Sequence, residues 1–438
     1  MLEDAPGPVV EPTRLGAGFA RVWTASTVSN LADGVLRLAV PVLAVRFTDS
    51  PLLVAGVGFS MSLPWLLFAL HAGAIADRVD RRRAMLLANG CRGLVVAVLA
   101  VIVGAGQGSL WMLYLAGVLV GLAEVFYDTS SQSILPQVVG RSVLPKANSR
   151  LYLGELTANN FVGPPLGGFL VAAGAALALG VPAALWGIAV AALATLPGSF
   201  RVERTGPSTS LAADIREGFG FLIRHPVLRT MAAMTGASNF ASSMVFGVFV
   251  LYAVGPGSAM GLTEPQYGVL TTAMAVGSVP GAMLATRIAA RLGRARSLAL
   301  GVVLISLSIG VPAVTTNPWV IGGVWALGGA AIALWNVIVV LLRQQITPDA
   351  LLGRVNSCYR LLAWGLIPVG SITGGVLAEA FGLPTTFAVA AALSGLTALG
   401  LLVVRERAIE AAEAAVPHTF SAHDPKVEPG CAERAHDA

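Results

Sequence analysis

The sequence predicts an all-α membrane protein with twelve transmembrane helices in two pseudo-symmetric six-helix bundles, and three observations lead there. The 438 residues are 55% hydrophobic and 12% charged, with a mean hydropathy of +0.77. Soluble domains carry about 25% charged residues, so this chain cannot cover a water-soluble core. Twelve stretches approach the length of about 20 mostly apolar residues that a bilayer crossing needs. Finally, the second six stretches repeat features of the first six. Composition thereby excludes a soluble enzyme, a nucleic-acid binder and a disordered scaffold, and sets the basic pI of 9.4 against a membrane surface.

The elements follow in chain order. Residues 1–18 are acidic and Pro-rich, unlike the basic start of a cleaved signal peptide, so the first helix is expected to be retained. Spans at 19–45, 53–76, 84–105, 109–131, 147–173 and 177–196 form the N-terminal bundle, 19–196. The linker 197–226 places Ile215, Phe219 and Leu222 at helical spacing beside Arg216, Glu217 and Arg224, as in an amphipathic helix lying on a membrane surface. Spans at 227–254, 266–288, 297–314, 318–342, 355–381 and 383–404 form the C-terminal bundle, 227–404, and 405–438 is polar and expected to be disordered. Of 28 Lys and Arg, all but Arg37 and Arg46 fall on or near one side if both termini share it, and the positive-inside rule makes that side the cytoplasm.

The repeat has an offset near 210 residues and can be followed at four places in the same order. Ser29-Asn30 returns as Ser238-Asn239, and the basic loop 78–83 as 291–296. Pro136 returns as Pro348, and Asn148-Ser149 with Gly167-Gly168 as Asn356-Ser357 with Gly374-Gly375. Two six-span bundles in the same orientation, related by an axis along the membrane normal, enclose a central cavity. Rocking one against the other exposes that cavity to each side in turn, which is the geometry of a secondary transporter.

The loop from Gly73 to Arg83, with Gly73, Asp77, Arg78, Arg81 and Arg82 in place, resembles the G-x-x-x-D-R-x-G-R-R motif of the major facilitator superfamily. Asp80 stands where the motif has Gly, in a turn expected to be left-handed. Gly163, Pro164, Gly167 and Gly168 are similar to the G-P-x-x-G-G element of its antiporter branches. With Asp33-Gly34 and Gly261-Leu262-Thr263, the pattern is most similar to the exporter group that includes enterobactin and macrolide exporters. The resemblance covers essentially the whole chain and implies the major facilitator fold. Asp77, facing the start of the eleventh span near Arg354, is expected to form a cytoplasmic gate with Gly73, Arg78, Arg81 and Asp128. The paired glycines and prolines of the fifth span are expected to serve close packing.

A charge within the membrane costs about 2.5–3.5 kcal/mol on insertion scales, so each asks for a reason. Asp33 and Arg37 lie four residues apart on one face of the first span, where they are expected to neutralise one another. Glu124 lies in the fourth span; Glu155 and Asn159 make a polar face in the fifth. At the repeat-related positions the C-terminal half keeps polarity and drops the charge, so the N-terminal charges are read as functional. A carboxylate in an apolar cavity is suited to binding and releasing a proton. Glu124, then Asp33, then Glu155 are the proton-coupling candidates. Asn30, Arg37, Asn239, Trp335 and Asn336 are the substrate-cavity candidates.

The three Cys are far apart and unpaired, no HExxH, GxSxG or Walker loop occurs, and neither cofactor nor metal nor enzymatic activity is expected. The expectation is a monomeric, multi-pass protein of the bacterial inner membrane with both termini cytoplasmic. It exchanges H+, with Na+ the other ion left open, for a small apolar or amphipathic molecule such as a drug, antibiotic or siderophore. The alternative is an importer or facilitator of a polar metabolite.

Overall fold

The computed structural model describes residues 15–76, 79–198, 200, 211–255 and 257–415. In hydrocarbon every backbone polar group must be satisfied within the chain, and the runs of Ala, Leu, Val and Gly meet that demand as helices. The N-terminal half contains α1 (Ala17–Ala44), α2 (Pro51–Ala76), α3 (Arg81–Gly104), α4 (Leu110–Val138), α5 (Leu144–Leu156), α6 (Gly163–Ala173) and α7 (Ala175–Ala194). After α8 (Leu211–Arg224) come α9 (Pro226–Phe246), α10 (Phe249–Ala253), α11 (Glu264–Leu292), α12 (Arg294–Gly310), α13 (Pro318–Ile346), α14 (Asp349–Trp364), α15 (Ile367–Phe381), α16 (Leu383–Leu396) and α17 (Glu406–Ala414). Among the described residues ten passes are each long and apolar enough to cross a membrane, α14 with α15 counting as one. The fifth pass crosses as α5 and α6 joined by a π-helical turn, Thr157–Val162, and the seventh as α9 with α10. Proline accounts for two of these breaks: Pro164 and Pro165 open α6 and Pro368 opens α15, each withholding an N–H from the preceding turn.

Within the N-terminal half α3 packs on α7 and α4, and α1 on α7 and α6; in the C-terminal half α13 packs on α11 and α12, and α9 on α15 and α16. Two seams join the halves, α2 with α15 and α6 with α11, and the repeat makes them copies of one contact. Both are tight at the end away from the basic loops. There Ser371 donates to the Ala55 carbonyl at 2.8 Å, Ser50 to Glu379 at 2.7 Å, and Arg46 pairs with Glu264 at 3.4 Å. Toward the basic loops the halves part, and among the described residues α4 and α5 have no comparable packing on α13 or α11. The contacts between the halves are thus concentrated at the end away from the basic loops.

Three loop expectations change. Asp80 is extended (φ −61, ψ 120) and caps α3, accepting from the Arg83 N–H at 3.0 Å and the Phe200 N–H at 2.8 Å, so the left-handed turn is not formed. A carboxylate at a helix N-terminus replaces what a motif glycine would do by conformation. The linker helix α8 docks on α14, with Leu222 buried and Glu217 paired to Arg354 at 2.6 Å, so it is part of the fold and does not merely rest on lipid. The tail, expected to be disordered from residue 405, begins with α17. Ile409 is buried, Glu406 and Glu413 both pair with Arg294 in the repeat of the motif loop, and the Ala295 N–H donates to Glu406 at 2.9 Å.

Burial alone would push the Glu406 carboxyl up, but the Ala295 N–H and the Arg294 guanidinium outweigh it and hold the group below its ordinary 4.5. A carboxylate so depressed contributes stability above its unfolded pKa and loses it as the pH falls through the folded one. Protection of the 406–414 amides, taken as exchange relative to the intrinsic rate at each pH, is therefore expected to stay high from neutral pH to about 4.5 and to fall below. A Glu406→Gln/Glu413→Gln variant should exchange faster at every pH above that; equal exchange would mean that apolar packing alone holds α17.

Candidate functional site

Asp33 and Arg37 stand one turn apart on α1, yet the fold gives them different partners. Asp33, 8% exposed, pairs with the fully buried Arg92 of α3 at 3.3 Å. The Arg92 guanidinium lies 5.1 Å from the centroid of Tyr127 and 5.7 Å from that of Trp186, while its Nε and Nη2 have no hydrogen-bond partner among the described residues. Arg37 extends the other way and reaches Glu124 of α4 at 3.9 Å. The expected Asp33–Arg37 neutralisation is corrected accordingly. An i,i+4 pair contributes only about 0.2–0.5 kcal/mol, far less than the attraction between opposite charges held together in a dry interior.

Arg92 is the residue that the sequence reading missed as functional, having assigned it to the basic side of the membrane. The signal was present, since it stands near the middle of the 24-residue α3, well away from the arginines at its start. Asp128, one turn beyond Glu124, lies within electrostatic reach of Glu124, Arg92, Asp33 and Glu155. Glu155 is exposed on α5 and within reach of Arg37. Four carboxylates and two guanidiniums from α1, α3, α4 and α5 therefore lie within electrostatic reach of one another in the N-terminal half, Asp33 and Arg92 buried and Arg37 and Glu155 exposed. The Asn159 backbone lies against Gly34 of α1 in the π turn, and its Oδ1 is buried without a hydrogen-bond partner among the described residues.

The glycines of the fifth pass lie at the closest helix contacts. A Cβ on Gly163 would stand 2.7 Å from Gly34 Cα, one on Gly167 2.9 Å from the Val35 carbonyl, and one on Gly168 would overlap the Glu264 carbonyl across the seam. The Pro164 carbonyl meets Gly268 of α11 in the same way.

Several cavity candidates are engaged in packing. Asn30 is buried and donates to the Ser26 carbonyl at 2.9 Å, and Asn239 donates to the Ala363 carbonyl at 2.8 Å, beside the break between α14 and α15. Trp335 is 6% exposed and donates to Thr235 at 3.1 Å, so it supports the wall from behind and offers no free ring to a ligand. Asn336 is exposed. The C-terminal half is not free of charge: Arg343 lies 4.5 Å from the centroid of Tyr359, and Arg360 of α14 is within electrostatic reach of Asp128 in the other bundle. Of the gate residues, Arg81 donates to the Ser133 carbonyl and not to Asp128, because Asp128 sits well inside α4 while Ser133 is nearer its end. Gly73 lies within α2; Asp77 and Arg78 lie outside the described residues.

The family model described as transmembrane secretion effector matches residues 11–434. The multidrug efflux pump Tap of Mycolicibacterium fortuitum is 28% identical over 387 residues, covering 83% of this chain and 90% of that one. The enterobactin exporter EntS of Salmonella typhi is 29% identical over 401 residues, covering 88% and 91%. Among solved structures, a mutant of the nucleoside transporter NupG superposes with a TM-score of 0.71 at 14% identity, covering 88% of this chain and 99% of that one. A bacterial homologue of the iron transporter ferroportin, in an inward-facing state, superposes with a TM-score of 0.69 at 18% identity, covering 88% and 98%. At such identities the structures establish the fold, twelve helices in the major facilitator arrangement.

Proposed function

This chain belongs to the transmembrane secretion effector family of major facilitator transporters, and from that premise we propose that it is a proton-coupled antiporter exporting small apolar or amphipathic compounds. The observation that carries the reading is the ionisable cluster on the N-terminal wall, Glu124 with Arg37 and Asp33 with Arg92, in a cleft shut at one end by two repeat-related seams. The export relatives support the direction. The positive-inside rule makes the basic end cytoplasmic, with both termini there, in a bacterial inner membrane. The cleft then faces the cytoplasm and is ready to load. A monomer suffices, because both walls come from one chain.

Glu124 is the coupling carboxylate. It is partly exposed, and its link to Arg37 at 3.9 Å is long enough to break when the carboxylate takes up a proton. Asp33 is committed to Arg92 and holds the wall in shape. Protonation of Glu124 from outside and its deprotonation into the cytoplasm drive the two bundles through one cycle, rocking about the seams α2/α15 and α6/α11. The Asp77 loop latches the basic end in the opposite state, against the start of α14.

Efflux of a panel of dyes and antibiotics from cells lacking their own pumps tests this. Wild type is expected to export at least one compound, to stop with a protonophore and to continue when Na+ is replaced by choline. Glu124→Gln at equal expression should lose about tenfold or more, in line with the loss of a group that acts only in the driven step. Protonophore-sensitive efflux that survives in Glu124→Gln would reject that residue as the coupling site, and sensitivity to Na+ removal would reject the proton as the ion.

A further inference from the structure

Arg360 on α14 belongs to the C-terminal half but faces the other one. Its guanidinium lies 4.8 Å from the centroid of Trp364 on its own helix and 5.8 Å from that of Trp65 on α2 of the other half. The two rings meet edge to face, 5.7 Å apart at an interplanar angle of 77°. Arg360 is exposed, and its five N–H donors make no hydrogen bond or ion pair among the described residues. Its charge is thus steadied by ring faces while the donor fork stays open. Asp128 on the opposite wall is within electrostatic reach but beyond ion-pair distance. Arg343 lies over the Tyr359 ring, its Nε without a partner among the described residues, and its positive charge reaches Arg360. The cleft is therefore polarised, acidic on the wall of α1, α4 and α5 and basic and aromatic on the wall of α13 and α14.

A guanidinium fork with open donors matches a carboxylate, sulfonate or phosphate bidentately, and two tryptophan rings beside it offer flat apolar surface. We propose that this corner anchors the transported molecule and that the molecule is an anionic aromatic compound, its acidic group on the Arg360 fork and its ring against Trp65 and Trp364. The proposal rests on the transporter reading above and narrows its substrate class. The carboxylates opposite orient the ligand, since they repel its anionic end toward the basic wall. Arg360 and Trp65 come from different bundles, so the corner is complete only while those bundles meet here.

Calorimetric titration of the full chain in lipid nanodiscs, corrected for empty discs, separates charge from shape with three probes: 2-naphthoate, uncharged 2-naphthamide and 2-naphthylmethylammonium. Wild type is expected to bind naphthoate about tenfold tighter than naphthamide, as a charge-assisted bidentate contact should provide, and the ammonium weakest. Arg360→Gln should erase the preference for naphthoate. Arg360→Lys should keep part of it, which also controls for folding, and Trp364→Leu should weaken naphthoate and naphthamide alike. Equal binding of the three probes, no binding of any, or a preference for the anion that survives Arg360→Gln overturns the proposal. The titration involves neither gradient nor direction, so failed efflux beside an intact anion preference would overturn only the export reading.

Discussion

Arg92→Met is expected to destabilise the protein by about 3–5 kcal/mol, the cost of leaving a buried charge without its partner. Asp33, 8% exposed in the wild type, would lose the guanidinium it pairs with. Asp33→Asn alone should cost a similar amount, because it leaves a guanidinium with zero exposure against the Tyr127 and Trp186 rings without its ion-pair partner. The double variant Asp33→Asn/Arg92→Met should recover most of the loss, since replacing a whole buried pair by neutral groups is often close to neutral. Thermal unfolding of the purified variants reads this cycle. Additive losses would mean that the two residues are not coupled and that each is satisfied elsewhere. The cycle also separates the roles on this wall: Asp33 and Arg92 should govern stability, while Glu124→Gln should leave the unfolding temperature near wild type.

Gly168→Leu should have the larger effect on transport. Gly168 meets the backbone of Glu264 and Pro265 across the α6/α11 seam, at a place where any Cβ overlaps the Glu264 carbonyl. No rotamer relieves a clash with backbone, so the seam must open and the population shift away from the state with the cleft open at the basic end. Gly375→Leu should do the same at the other seam, where the neighbours are Ala55 and Leu52 of α2. Both variants are expected to lower efflux about tenfold or more. Both should also speed labelling of a cysteine placed at Leu52, in a cysteine-free background, by a membrane-impermeant thiol reagent. Unchanged labelling with normal efflux would show that these seams are not what shuts that end.

How much of this was legible in the sequence differs from residue to residue. The close approach of the fifth pass to its neighbours could be read in Gly163, Pro164, Gly167 and Gly168, because small residues at helical spacing have meaning only where backbones touch. That Gly163 and Gly167 meet α1 while Gly168 meets α11 could not be read, since it depends on how α6 is rotated. Trp335 was legible as a large aromatic in a polar neighbourhood, but its burial against Thr235 follows from the packing of α13 on its neighbours. The helix α17 escaped notice because nine residues of mixed charge carry little signal until Arg294 and Ala295 are placed beside them.

By itself the sequence determined the twelve passes, their pairing into two related halves, the basic loops and the presence of ionisable residues inside the membrane. Each is a property of a continuous run: the bilayer demands a fixed length of apolar chain, and a repeat or a charge is visible wherever it stands. The tertiary structure alone decided that Asp33 answers Arg92 and Arg37 answers Glu124, that Asp80 caps α3, and that Arg360 faces Trp65. Those pairings join different passes or depend on how a loop folds back. They are governed by helix rotation and depth, and low dielectric then selects among the charges brought within reach.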